Sequence, residues 1–213
     1  MKTLIINGSP NGRKGNTEVF CQKFAAGMKT APEVRRVAEE EAAGLAAYME
    51  DFDHWLFFFP MYVNAMPGIV KKLFEQMQPG QEKGIGYFVQ YGFAEAAQSD
   101  YLRTILKNFT ARMGYRDLGM VVAGGMAGVR YMPEAMNKKL FGRLKTAGAD
   151  YEQSGALSQG SIRPFGQVYR FNRAQLARIR FFKKLGVSDA LFWNRMLKGN
   201  NAFNKRFDKP FGG

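Results

Sequence analysis

The chain predicts an α/β fold, a doubly wound parallel sheet of five strands, and three observations lead there. Up to about residue 150, short apolar runs alternate with stretches of helical period, the pattern of strand–helix–strand units joined by right-handed crossovers. The run Trp55-Leu56-Phe57-Phe58-Phe59 is apolar at every position, so both of its faces need cover, as in a central strand of a parallel sheet. The first strand also runs straight into a glycine-rich polar turn and then a helix, an arrangement typical of open α/β sheets.

Taken in order, Thr3–Ile6 reads as the first strand and Asn16 to about Met28 as the first helix, followed by a weak strand at Val34–Val37 and a short helix at Ala42–Met49. Trp55–Phe59 is the third strand, and Pro67 precedes a helix from Gly68 to about Met77, proline being favoured where a helix begins. Gly86–Val89 is the fourth strand. Ser99–Met113 is a helix with Tyr101, Leu102, Ile105, Leu106 and Phe109 at helical spacing. Leu118–Ala123 is the fifth strand, and a last helix covers roughly Pro133–Ala147.

The 213 residues, 46% of them apolar, suffice for one domain with a sizeable core. We assign residues 1–161 to it and 162–213 to a C-terminal extension, because the character of the chain changes near Ser161. The formal charge is +13, yet residues 162–213 hold twelve Lys or Arg against Asp189 and Asp208, a net of +10. Leu176, Ile179, Phe182 and Leu185 interleave there with Arg173, Arg178, Arg180, Lys183 and Lys184, the pattern of a basic amphipathic helix ended by Gly186. A second short helix is expected over Asp189–Leu197. Ten aromatics between Phe165 and Phe211 favour packing on the domain or on a partner subunit over a merely solvated tail. Contact with an anionic partner or a membrane surface is the other use of such charge, and no sequence-specific nucleic-acid motif is present.

No apolar run approaches the roughly 18 residues needed to span a bilayer, and MKTLIINGSP lacks the apolar core of a signal peptide. A cytoplasmic location is therefore expected. With one cysteine, Cys21, and one histidine, His54, the chain offers no internal disulfide and no cluster of metal ligands. Cys21 is read as core packing, and His54, just before the third strand, is given no catalytic role.

The turn Gly8-Ser9-Pro10-Asn11-Gly12-Arg13-Lys14-Gly15-Asn16-Thr17 is suited to holding a phosphate. Its glycines let the backbone approach a ligand, and the helix opening near Asn16 presents unpaired N–H groups and the positive end of its dipole. Ser9, Asn16 and Thr17 add side-chain donors. A Walker loop is excluded because Gly12 is followed by Arg13, and the dinucleotide fingerprint because Gly8, Gly12 and Gly15 miss its register. The glycines at 124, 125 and 128 miss it too, and Gly84 and Gly86 stand before a strand instead of after one.

In a sheet of order 2-1-3-4-5 the ligand lies beyond the carboxyl ends of the strands, between the first and third. The loops after the third and fourth strands must converge there. The first of these, Pro60-Met61-Tyr62-Val63-Asn64-Ala65-Met66-Pro67-Gly68, offers an apolar, polarisable wall; the second, Gln90-Tyr91-Gly92-Phe93-Ala94-Glu95, offers an amide and a glycine that permits close approach. Both suit a flat aromatic ring.

The turn GSPNGRKGNT, the loop FPMYVNAMPG leading into KKLFEQ, and the order of elements resemble the NAD(P)H-dependent FMN reductases and quinone reductases of the flavodoxin-like fold. The resemblance covers about residues 1–150. It implies that Ser9, Asn11, Gly15, Asn16 and Thr17 hold the FMN phosphate, that Pro60, Met61, Tyr62, Val63, Asn64 and Ala65 line the isoalloxazine, and that Gln90, Tyr91, Gly92 and Phe93 close its far edge. Tyr91 and Ala94 depart from the Gln-small-Gly-Phe-Pro-Glu pattern of related loops, and the cysteine cluster of the iron–sulfur members is absent. The implied activity is hydride transfer from NADH or NADPH through FMN to a quinone-like or other small acceptor, in a ping-pong cycle within a homodimer. Tyr62 and Phe93 would shape the acceptor face, and no catalytic acid or base is required. Two rival readings are a flavodoxin-type electron carrier, although such carriers are characteristically acidic and small, and a flavin-sensing module acting through the basic extension.

Overall fold

A computed structural model describes residues 1–80, 82–166, 168–186 and 193–208. The chain divides into two compact units, Met1–Tyr169 and Arg170–Gly213.

The first unit carries one parallel sheet with the order β2-β1-β3-β4-β5. Its strands are β1 (Thr3–Asn7), β2 (Glu33–Arg36), β3 (His54–Pro60), β4 (Gly84–Gln90) and β5 (Arg116–Ala123). Between and after them run α1 (Asn16–Ala25), α2 (Ala42–Met49), α3 (Gly68–Phe74), α4 (Asp100–Arg112), α5 (Glu134–Ser154) and the single turn α6 (Gln159–Ile162). The fold class, the sheet order and the five strands agree with the sequence-based expectation. Gly84 and Gly86 lie inside β4, where their missing side chains leave room for His54, Leu118 and Leu56.

Strand β3 shows why the sheet must be covered on both sides. Its alternate residues Trp55, Phe57 and Phe59 enter one core with Leu4, Ile6, Tyr87, Val89 and residues of α2, α3 and α4. Leu56 and Phe58 enter the opposite core with Ile5, Phe88 and residues of α1 and α5. A strand that is apolar at every position from Trp55 to Phe59 therefore joins two separate cores through one sheet.

On the second face α1 and α5 approach so closely that a Cβ at Gly148 would lie 2.0 Å from the carbonyl oxygen of Phe24. Helix α5 runs beyond the expected Ala147 because its buried stripe continues from Leu144 and Ala147 to Tyr151. It ends where Gly155 turns left-handed, at φ 71°. Helix α1 stops at Ala25 and α3 at Phe74, each shorter than the periodicity suggested. In α4, Leu102 and Leu106 are buried, whereas Tyr101 and Ile105 are exposed despite their apolar character. Cys21 is buried in the core.

The second unit contains α7 (Arg173–Lys184) and α8 (Asn194–Gly199). Asn172 and Gln175 form a capping box at the start of α7, and Gly186, at φ 68°, follows its end. Only the end of the helix expected over Asp189–Leu197 falls within the described residues, as part of α8; Phe211 lies outside them as well. Among the described residues no helix is long and apolar enough to cross a membrane.

Candidate functional site

A cleft of about 300 Å³ opens at the carboxyl ends of β1, β3 and β4, where the sheet order reverses. It is lined by Ser9, Asn11, Gly15, Asn16, Pro60, Met61, Tyr62, Val63, Gln90, Tyr91, Gly92, Phe93 and Ala127. Three loops separated in sequence thus meet in one place. A larger cavity, about 560 Å³, is at the opposite end of the sheet near Met1, Thr3 and Asp53. Its carboxylates are already engaged, Asp53 by the N–H of Lys2 and Glu152 by the N–H groups of Lys29 and Thr30.

The glycine-rich turn is held from beneath by Asn7, which is fully buried at the end of β1. Its side-chain Oδ1 accepts from the N–H of Ser9 at 3.0 Å, and its side-chain Nδ2 donates to the carbonyl of Gly12 at 3.3 Å and to Glu18 at 2.8 Å. Glu18, in the first turn of α1, is also ion-paired with Arg36 at the end of β2. Burial pushes the Glu18 carboxyl pKa up, but the bonds from Arg36, Asn7 and Gln22 outweigh this and hold it below the usual carboxylate value. The charge of Glu18 beneath the turn is therefore compensated.

Above this base the turn is open to a ligand. The residue before α1 is Gly15, so no side chain caps the first N–H groups of the helix. Gly15 also leaves space within the turn, since a Cβ there would meet the Ser9 hydroxyl at 2.9 Å and Asn11 at 3.3 Å. The Ser9 hydroxyl accepts from the N–H of Asn11 at 3.2 Å and keeps its proton for another acceptor.

The side chains of Asn16 and Thr17 are used otherwise than expected. The Asn16 amide donates to the carbonyls of Met126 and Ala127 at 2.9 and 3.2 Å, and its oxygen accepts from the N–H of Arg130 at 3.0 Å. Arg130 in turn donates to the carbonyl of Lys14. Asn16 is thereby a clamp on the loop after β5, though it still lines the cleft. Thr17 is fully buried and lies outside the lining; its hydroxyl accepts from the Gln90 amide at 2.8 Å. It braces Gln90 instead of facing the cleft.

In the loop after β3, Tyr62 and Ala65 exchange backbone hydrogen bonds of 2.9 and 3.0 Å around Val63 and Asn64, both with positive φ (48° and 63°). This is a two-residue hairpin turn of the primed kind. It lifts Val63, 94% exposed, to the rim and carries Asn64 past the cleft, while Ala65 pairs back and lines an apolar groove with Met66, Phe74, Ile105 and Phe109. Asn64 and Ala65 are therefore not among the lining residues. Phe93, 64% exposed, lines the cleft from the loop after β4.

The expectation missed Ala127 and the loop carrying it. The N–H groups of Gly125 and Met126 donate to the carbonyls of Phe93 and Tyr91, which ties this loop to the one after β4. A Cβ at Gly92 would come within 3.3 Å of Ala127. The signal lay in Gly124, Gly125 and Gly128, set directly after the fifth strand. His54 is at the start of β3, at the far end of the sheet from the cleft.

A family model described as "Flavodoxin-like fold" matches residues 1–82. Among solved structures, the chain is similar to an NAD(P)H:quinone oxidoreductase from Methanothermobacter marburgensis, with TM-score 0.57, 15% identity, and cover of 71% of this chain and 97% of that one. It is similar also to an NADPH-quinone reductase from P. pentosaceus, with TM-score 0.55, 20% identity, and cover of 72% and 99%. A third is an FMN-dependent NADH-azoreductase from Bacillus anthracis in complex with FMN, with TM-score 0.54, 11% identity, and cover of 71% and 100%. No curated protein matches the sequence. Strand order, the helices covering both faces of the sheet, and these similarities give one answer: the chain has the flavodoxin-like fold.

Proposed function

We propose that this chain is an FMN-dependent oxidoreductase that takes hydride from NADH or NADPH and reduces a quinone-like or other small acceptor. The observation that carries this reading is the convergence of the uncapped start of α1 with two apolar loops on one cleft at the switch point of the sheet.

The residues present fit FMN. The Ser9 hydroxyl, the first N–H groups of α1 and the space left by Gly15 would hold its phosphate. Pro60, Met61, Tyr62 and Val63 on one side, with Gln90, Tyr91, Gly92 and Phe93 on the other, would hold its ring system. When bound, FMN supplies the hydride-transfer chemistry. The chain's own task is to bind, orient and shield. Thr17 fixes the Gln90 amide, the Asn16 clamp fixes the Ala127 wall, and Tyr62, Val63 and Phe93 form an apolar rim that helps exclude water. No side-chain acid or base is assigned a step.

The homodimer belongs to the same proposal and is supported by the exposed rim, which a second copy would help to cover; light scattering should give twice the chain mass. The decisive experiment is an absorbance spectrum after adding FMN and removing the excess, followed by anaerobic NADH or NADPH. Retained flavin that bleaches is the expected result. Retained flavin inert to both nucleotides would favour an electron carrier, and no retained flavin would overturn the reading.

A further inference from the structure

We propose that α7 docks this protein on the surface of an anionic lipid bilayer. No residue of α7 or α8 is buried, nor is any of the turn at Phe203–Lys205. At 3.6 residues per turn, Arg173, Arg180, Lys183 and Lys184 fall on one side of α7. Ile179, Phe181, Phe182 and Leu185 fall on the other and are exposed, Phe181 by 59% and Leu185 by 60%. Arg178 lies on the apolar side, where its long stem can reach back toward headgroups. Leu176 stands among the cations.

The chemistry of the two sides selects the partner. A lipid interface accepts both, taking bulky apolar side chains at the acyl boundary and cations among its phosphates. A single-stranded nucleic acid would use the cations and stack on the phenylalanines, but would leave Ile179 and Leu185 in water. The positive charge is also spread along the whole segment, through Arg195, Lys198, Lys205 and Arg206, which suits an extended anionic surface. Twelve residues of helix measure about 18 Å, well short of a hydrocarbon core of about 30 Å. The helix therefore lies on the bilayer and does not cross it. This inference rests on the second unit alone and stands whether or not the cleft binds FMN.

The test is co-sedimentation of the full-length protein with phosphatidylcholine vesicles, with and without roughly 30 mol% phosphatidylglycerol. Binding to the anionic vesicles should be at least about tenfold stronger and should weaken as salt is raised. The pair Ile179→Asp and Phe182→Asp should reduce it to the level of neutral vesicles with unchanged circular dichroism. Arg180→Glu with Lys183→Glu should do the same while leaving the apolar side intact. No preference for anionic vesicles would overturn the proposal and leave this side of α7 to a protein surface. Full binding by the Asp pair, together with equal binding of a single-stranded oligonucleotide, would overturn it in favour of a plain polycation.

Discussion

The side-chain amide of Gln90, the last residue of β4, donates to the hydroxyl of Thr17 in the first turn of α1 over 2.8 Å, and both residues are buried. The bond reaches from the sheet to the helix that opens beside the cleft, so the position of Gln90 depends on a residue that does not itself line the cleft. Thr17→Val keeps the shape but leaves a buried amide without its acceptor, at a cost of about 1–3 kcal/mol. Urea unfolding should show that loss, and Thr17→Ser should recover most of it. A Val variant as stable as the parent would mean that Gln90 finds another partner.

Asn16 supports a different wall. Its three bonds to Met126, Ala127 and Arg130 hold the loop after β5 against the glycine-rich turn. Asn16→Ala should lower the free energy of local opening by about 1 kcal/mol, so that amides of that loop exchange roughly fivefold faster with solvent. Hydrogen exchange of the Gly125 and Met126 amides is the measurement, with amides of β3 as the unchanged control.

The fold was legible because its causes are local and periodic. The apolar run Trp55–Phe59 and the glycine-rich turn after β1 pointed to the class, and the switch-point rule placed Ser9, Met61, Gln90 and Phe93 around one cleft. Contacts between distant loops were not legible. Nothing near Asn16 in the sequence announces that its amide is taken by carbonyls 110 and 111 residues away, and Thr17 reads as a free donor until Gln90 is seen against it. Asn64 falls outside the lining for another reason. A two-residue turn reverses the chain at Val63, a β-branched residue that seldom adopts positive φ, so no ordinary turn signal marked the reversal.

That turn carries a prediction of its own. Val63, at φ 48° and almost fully exposed, sits where asparagine or glycine would be unstrained. Strain of this kind costs about 1–3 kcal/mol. Val63→Asn should therefore raise the unfolding midpoint, measurable by thermal denaturation. A lower midpoint would show that Val63 gains more from packing at the rim than its backbone loses.

Two buried groups contribute to the response to acid in separate pH ranges. His54 accepts from Arg116 at Nε2, since a guanidinium only donates, so its proton is on Nδ1 and points to the Tyr151 hydroxyl 2.7 Å away. Burial first, and Arg116 second, depress the His54 pKa below its ordinary 6.5. The folded state thus resists protonation that the unfolded chain accepts, and stability should begin to fall as pH drops through about 6.5. Glu18, depressed below 4.5 by partners that outweigh its burial, adds a second loss as pH drops below about 4.5. His54→Leu should remove the first limb of a stability–pH curve and leave the second, whereas Glu18→Gln should make the second shallower without abolishing it, because Glu40, Asp53 and Glu152 are depressed as well. Identical curves for parent and His54→Leu would rule out the histidine as the origin of the upper limb.

Gly15 separates binding from folding. Its backbone, at φ −92° and ψ 164°, suits any residue, so alanine there is not strained by conformation. A new Cβ would instead press on the Ser9 hydroxyl at 2.9 Å and on Asn11 at 3.3 Å, inside the turn proposed to receive the FMN phosphate. Gly15→Ala should change global stability by less than about 1 kcal/mol, because the turn can open outward into solvent. FMN affinity should fall by about tenfold or more, since the displaced Ser9 donor is one the phosphate would use, and a hydrogen bond to a charged group contributes about 1.5–3 kcal/mol. Fluorescence titration with riboflavin alongside FMN sharpens the test, for riboflavin lacks the phosphate and its affinity should hardly move. Equal losses for both ligands would mean that the substitution distorts the ring pocket, and no loss for either would place the phosphate away from this turn.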